Sequence, residues 1–233
     1  MSALEAKALN FALASRLTAY PGQDFRAAID GLVASGAGDA TLGGGLLERA
    51  EDLDEARSEF LALFDVGSER TPLYETEYGR MRGMSKGTEL ADLNGFYRAF
   101  GLGSPDGENE MGDHLAVELE FYAVMLARQS ALAEAGDADG VGIVEDARKK
   151  FLLDHLGRFV GAIAQRQNVS QSALYGRVFE WVRALVEAEC QALGVQPAAL
   201  DFHGLDPSAD AEPCCGAVEQ LKSNPSPGKP SHA

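Results

Sequence analysis

The sequence predicts an all-α fold. We read a single compact multi-helix domain over residues 1–200, its two halves joined by a hinge loop at about 103–112, and a flexible Pro-rich tail over 201–233. Three observations point there. Strand signals are nearly absent, with no β-branched alternation flanked by Asn-Gly or Asp-Gly turns. Ala, Leu, Glu and Arg dominate, and apolar residues recur at the period of a helix. Finally, the stretch Glu110–Gln129 carries two adjacent apolar rows, Leu115-Leu119-Tyr122-Leu126 and Val117-Phe121-Val124. A helix with so wide an apolar girth belongs inside a core.

Taken in order, residues 3–19 form the first helix, stopped by Tyr20-Pro21-Gly22. It superficially resembles an export leader, but Glu5, Asn10 and Arg16 break that pattern, so it reads as an amphipathic helix. Asp24 caps a second helix to about Val33, and a Gly/Ala/Ser stretch at 35–45 interrupts the periodicity. A third helix, Leu46 to Phe64, turns Leu53, Ala56, Phe60, Leu63 and Phe64 inward. Its outer face, with Glu48, Glu51, Asp52, Glu55 and Glu59, reads as solvated.

Residues 65–87 make a long turn-rich loop that nevertheless holds Tyr74, Tyr78, Met81 and Met84. Loops of such length in a compact domain are usually functional or mobile. Helix resumes at Thr88, with Leu90, Leu93, Phe96, Tyr97 and Phe100 inward and Gly101 as C-cap. The polar hinge and the central helix come next. Residues 141–166 then bring Phe151, Leu152, His155, Leu156, Phe159, Val160 and Ile163 onto one face. The last long helix runs from Ser172 to Leu193, with Trp181 as a core anchor. Six of the nine prolines occur from Pro197 onward, the composition of a disordered tail.

Hydrophobic content of 45% and charged content of 24% are those of an ordinary globular chain of 233 residues. The net charge of −16 would repel a nucleic-acid duplex or an anionic membrane and attract a cationic peptide. No apolar run reaches the roughly 18 residues that span a bilayer. Cys190, Cys214 and Cys215 are too few and odd in number for a secreted disulfide framework, so a cytoplasmic location is expected. Adjacent Cys214-Cys215 would make a poor structural bridge.

Two Asp-His pairs stand out, Asp113-His114 and Asp154-His155, with Glu118 between apolar rows of the central helix. Burial should exclude such groups unless they are paired. One reading makes Asp113 the N-cap, His114 a partner of a nearby carbonyl, and lets Glu118 reach the surface or a partner. Another gathers Asp113, His114, Glu118 and His155 into a metal site of a helical enzyme. However, a di-metal bundle needs Glu-x-x-His, and positions 111 and 152 are Met and Leu. His-Glu-x-x-His is missing too, and Gly79–Thr88 lacks the Gly-Lys-Ser/Thr order of a phosphate loop. Cys214-Cys215 with His203 or His232 falls short of a structural zinc set. No Ser or Cys sits in a nucleophile setting.

PLYETEYG at 72–79, ELADLNGFYRAFGL at 89–102, DHLAVELEFYAVML at 113–126 and FLLDHLGRFV at 151–160 resemble, in this order, the redox-enzyme maturation chaperones of the TorD/DmsD/NarJ type. The likeness covers about residues 50–165. It implies an all-helical, non-catalytic cytoplasmic chaperone, monomeric or homodimeric. The implied partner is the catalytic molybdenum subunit of a dimethyl-sulfoxide-reductase-superfamily enzyme. Such chaperones bind its N-terminal or twin-arginine leader, support cofactor insertion and delay export. They keep no permanent cofactor, and any contact with molybdopterin guanine dinucleotide would be transient, through the client. The resemblance places the peptide-binding region at the Asp113-His114 pair, with Tyr74 and Glu75 of the first motif and His155 of the last as its counterparts; Glu118, Tyr97 and Phe121, on the same segments, complete the expected peptide-binding set. Proline commonly precedes the Asp-His pair in relatives, whereas Met111-Gly112 stands here. The competing function is a helical metal-dependent enzyme using Asp113/His114 and Asp154/His155.

On the residues alone, a leader offers arginines followed by an apolar run, so its receptor needs carboxylates beside an apolar groove. Asp113, Glu118, Glu75 and Glu77 are the expected acids, and Tyr74, Tyr78, Met81 and Met84 the adaptable wall.

Overall fold

A computed structural model describes residues 1–36, 52–79, 86–103 and 112–202. Among them every regular element is helical, apart from one isolated antiparallel bridge between Tyr74 and His114. The all-α reading holds. The start of the third helix at Leu46, Met81 and Met84, most of the hinge, and Cys214-Cys215 with the tail from 203 lie outside the described residues.

Helix α1, Ala3–Thr18, opens on a capping box in which Ser2 and Glu5 satisfy each other's backbone N–H. Helix α2, Gln23–Ser35, starts at Gly22 without a side-chain cap. Asp24 therefore does not cap it; the residue sits in the first turn, where its charge favours the helix dipole. Helix α3, Leu53–Phe60, is capped by Asp52, whose Oδ1 accepts from the N–H groups of Asp54 and Glu55. Asp52 thus does more than face solvent. The helix runs on into a π turn, Leu61–Asp65.

Helix α4 spans Lys86–Ala99 and the central helix α5 spans Leu115–Glu134. Helix α6, Ala138–Phe151, continues through a second π turn, Leu152–Leu156, into α7, Gly157–Ala164. The apolar face expected over 141–166 is thus carried by two helices and the π turn between them. A short α8, Gln167–Gln171, precedes α9, Tyr175–Leu193. The last helix accordingly starts later than its apolar pattern suggests.

Helix α5 is the axis of the core. Leu115, Leu119, Tyr122, Met125 and Leu126 have no exposed surface, as the apolar row requires. Each leucine buried this way contributes about 1.5–3 kcal/mol. Helix α1 lies along α5, with the Phe11 and Tyr122 rings 4.5 Å apart. One aromatic cluster joins Phe60, Phe64, Tyr175 and Phe179; another joins Phe96, Tyr97, Phe121 and Phe151. Trp181 is half-buried at the edge of this core instead of anchoring it.

Beyond α9 the backbone from Val195 to Phe202 crosses α7. Leu200 N–H donates to the Arg158 carbonyl and Gly79 N–H to that of Asp201. Phe202 stacks near Tyr78, under the Arg166 guanidinium. The compact unit therefore runs Met1–Phe202.

One buried polar network pins α5, α6 and α9 together. Arg148 and Glu189, each 2% exposed, form an ion pair, and Tyr122 Oη donates to Glu189 at 3.0 Å. Arg148 also donates to Gln129 and Tyr122, while Lys7 reaches Glu189 from α1. Removing one partner strands a buried charge. Arg148→Met is therefore expected to lose about 3–5 kcal/mol in urea unfolding, most of it regained in Arg148→Met/Glu189→Leu. A second test concerns Gly157, where a Cβ would stand 2.4 Å from the Leu152 carbonyl oxygen and 2.5 Å from Pro197 Cγ. Gly157→Ala is expected to cost about 1–3 kcal/mol by the same measurement, because turn and crossing segment must both shift.

Candidate functional site

Two of the sequence motifs meet at the N-terminus of α5. Glu75 N–H donates to the Asp113 carbonyl at 2.9 Å, and Leu115 N–H to the Leu73 carbonyl at 2.8 Å. The Asp113 side chain adds to this junction. Its Oδ2 accepts from Thr76 Oγ1 at 2.6 Å and from Thr76 N–H at 3.3 Å. Asp113 therefore caps the 3-10 turn Glu75–Glu77 and is not the N-cap of the central helix. That position belongs to His114, whose Nδ1 accepts from Ala116 N–H at 3.1 Å. A ring protonated at Nδ1 could not accept this bond. Burial lowers the His114 pKa, the Asp113 charge pulling the other way. His114 thus acts as a neutral imidazole, and its ring meets the Tyr74 ring edge-on at 5.0 Å.

Behind this junction the chain buries carboxyl groups. Glu118 is 0% exposed, and neither carboxylate oxygen has a hydrogen-bond partner among the described residues. Burial pushes its pKa well up, and the charges of Glu75 and Asp113 add to the effect. Burial therefore favours the neutral acid at Glu118. Glu75, 1% exposed, is raised by burial too, but its hydrogen bond and charge contact with His155 pull it back. His155 spans two carboxylates, with Nδ1 2.9 Å from Glu75 Oε2 and Nε2 3.2 Å from Asp92 Oδ2. The Tyr97 hydroxyl donates to the Gly112 carbonyl, closing the back of the junction.

In front of the junction lies a hollow of about 470 Å³. Ala116 and Val117 of α5, Leu73 and Tyr74, His114, the π turn residues Leu61 and Phe64, and Tyr20 after α1 line it. Its acids are Asp65 and Glu120, and Arg16 of α1 joins them. A second hollow, of about 540 Å³, is bordered by Glu89, Asp92, Asp154, His155 and Arg158.

The structure brings the eight candidate peptide-binding residues to one region but separates their roles. Tyr74 and His114 line the first hollow. Asp113, Glu75, Glu118, Tyr97 and Phe121 are sealed behind it, and His155, 2% exposed, borders the second. The expected acids Asp113 and Glu118 therefore offer no free carboxylate: one is engaged by Thr76 and the other is fully buried. No local pattern marks Asp65, Glu120 and Arg16 as site residues; only the packing of α1 and the π turn onto α5 assembles them. Among the described residues no three His, Cys, Asp or Glu side chains are placed to hold a metal ion.

A family model described as nitrate reductase delta subunit matches residues 23–165. The chain belongs to the nitrate reductase delta subunit family. A "Chlorate reductase assembly chaperone protein" of Ideonella dechloratans is 31% identical over 156 residues, 66% of this chain and 78% of that protein. A "Selenate reductase assembly chaperone protein" of Thauera selenatis is 28% identical over 153 residues, 65% and 77% of the two chains. These relatives are named as chaperones, and the reading as a metal-dependent enzyme is not favoured. The delta subunit match contains the whole 73–76/113–115 junction, whereas α1, with Arg16, lies outside it.

The buried acid sets a pH dependence. Glu118 keeps its proton on folding and loses it, at ordinary carboxylate pH, on unfolding. Stability from the neutral form is complete below the unfolded pKa and is lost as pH rises toward the folded one. Glu118→Gln, which stays neutral, is expected to flatten the fall of stability as pH rises above the ordinary carboxylate range, by up to roughly 1.4 kcal/mol per pH unit. Denaturant unfolding at several pH values reads this, and parallel curves for the two proteins would refute it.

Proposed function

We propose that this chain is an assembly chaperone for a molybdenum-containing reductase, and that the hollow in front of His114 receives the basic, apolar leader of the client's catalytic subunit. The observation that carries the reading is the composition of this hollow. Its walls are apolar and aromatic, its rim carries Asp65 and Glu120, and it is built on the junction that the family match contains. About 470 Å³ admits a few apolar side chains rather than a folded domain. The net charge of −16 draws a cationic segment toward it.

In this reading Tyr74 and His114 touch the peptide. Asp113, Glu75, Glu118, Tyr97, Phe121 and His155 serve the site by holding the junction and the walls in place. Asp65 and Glu120 meet the leader's arginines. Nothing in the mechanism is chemical: binding shields the leader while the cofactor enters the client, delays export, and ends on release. The molybdopterin group remains the client's. Such a role is exercised in the cytoplasm, where the leader is synthesised. It needs no membrane insertion, and no described helix is long and apolar enough to cross a bilayer.

Fluorescence anisotropy of a dye-labelled synthetic twin-arginine leader peptide tests the proposal. Tyr74→Ala and Val117→Asp are each expected to weaken binding about tenfold or more, as removal of a central apolar contact does. Asp65→Asn is expected to reduce its salt dependence. Equal affinity for a twin-lysine peptide, or indifference to all three substitutions, would defeat the groove as the leader site.

A further inference from the structure

Arg16 lies in the last turn of α1, half-exposed, and lines the same hollow as Glu120. Its Nη2 is 3.4 Å from Glu120 Oε1, and its Nη1 is 3.4 Å from Asp24 Oδ2. Glu120 is 56% exposed and Asp24 77%. The guanidinium thus touches each carboxylate with one nitrogen, at the long limit of a hydrogen bond, and grips neither as a two-pronged fork. Ion pairs of this kind contribute little to a fold, so exchanging one guanidinium for another leaves the protein intact.

We infer that Arg16 is a built-in occupant of the groove's arginine subsite, neutralising Glu120 until a client arginine displaces it. The inference rests on the reading of the hollow as a leader site. The chemistry of the exchange is symmetric, because a client guanidinium brings the same donors that Arg16 withdraws. Asp24 makes the withdrawal easy: it does not line the hollow, so Arg16 keeps one carboxylate partner after leaving Glu120. The buried acids cannot substitute for Glu120, since Glu118 is enclosed and Asp113 is bonded to Thr76.

Competition of this sort improves discrimination. A purely apolar segment leaves Arg16 on Glu120 and gains nothing from the acid, whereas a dibasic segment recovers what the exchange costs. Arg16 lies outside the family match, whereas Glu120 lies within it.

The test is a double-mutant cycle on Arg16 and Glu120 in the full chain, read by binding of the labelled twin-arginine peptide. Arg16→Gln is expected to tighten binding roughly two- to fivefold, the worth of one exposed ion pair. Arg26→Gln, which removes the same charge from α2 away from the hollow, is expected to leave affinity unchanged. In the Glu120→Gln background the gain from Arg16→Gln is expected to vanish. Weaker or unchanged binding by Arg16→Gln overturns the inference, and so does an equal gain from Arg26→Gln, which would mark a net-charge effect. Persistence of the gain without Glu120 also overturns it. If the wild-type protein does not bind the peptide at all, the leader-site reading itself fails and this inference falls with it.

Discussion

The short backbone bridge between residues 73–75 and 113–115 is the constraint on which the site depends. Two N–H···O bonds and the Asp113 cap on Thr76 join a segment without helical periodicity to the start of the central helix. Backbone groups in such a segment need partners if they are to be buried. Here each segment serves as the other's partner. His114 is thereby held at the N-cap, Tyr74 is set against it, and the floor of the hollow is fixed by Ala116 and Val117 just beyond, in the first turn of α5. The aspartate and the histidine of one dipeptide thus cap different elements, which is why both residue types are needed side by side.

Both hollows beside this bridge adjoin a π turn. The first π turn supplies Leu61, Phe64 and Asp65 to the apolar hollow, and the second supplies Asp154 and His155 to the acidic one. An inserted residue widens a helical turn and rotates the residues after it, so a side chain at a core register can be turned to line a cavity. Gly157 permits the second such turn, because its missing Cβ is what allows the Leu152 carbonyl and Pro197 to approach. Local backbone irregularity and cavity placement are therefore linked in this molecule.

The buried carboxyl groups divide the electrostatics of the region in two. Glu118 and Glu75 behind the bridge are raised by desolvation, while Asp65 and Glu120 line the open hollow. Only the latter pair can meet a ligand's charge. The former bias the stability of the bridge with pH and position its elements. Charge at the open hollow and neutralised acids in the interior are thus kept apart by burial alone.

Periodicity and composition suffice for the helical class, for the buried row on α5 and for the apolar faces of the flanking helices, because 3.6-residue spacing and core burial are properties of local sequence. The motifs also mark residues that meet in space: Tyr74, Glu75, Asp113 and His114 come together at the candidate site. The role of each is decided by tertiary structure. Asp113 has the sequence setting of a helix cap, yet it caps a turn almost 40 residues away; Glu118 has that of a ligand-facing acid, yet it is enclosed. The two π turns, the Arg16–Glu120 pair and the apolar hollow depend on how α1, α3 and α7 pack. Hydrogen-bond partners across more than 30 residues and the dielectric around a carboxyl group are set by neighbours in space, and a linear pattern carries no record of them.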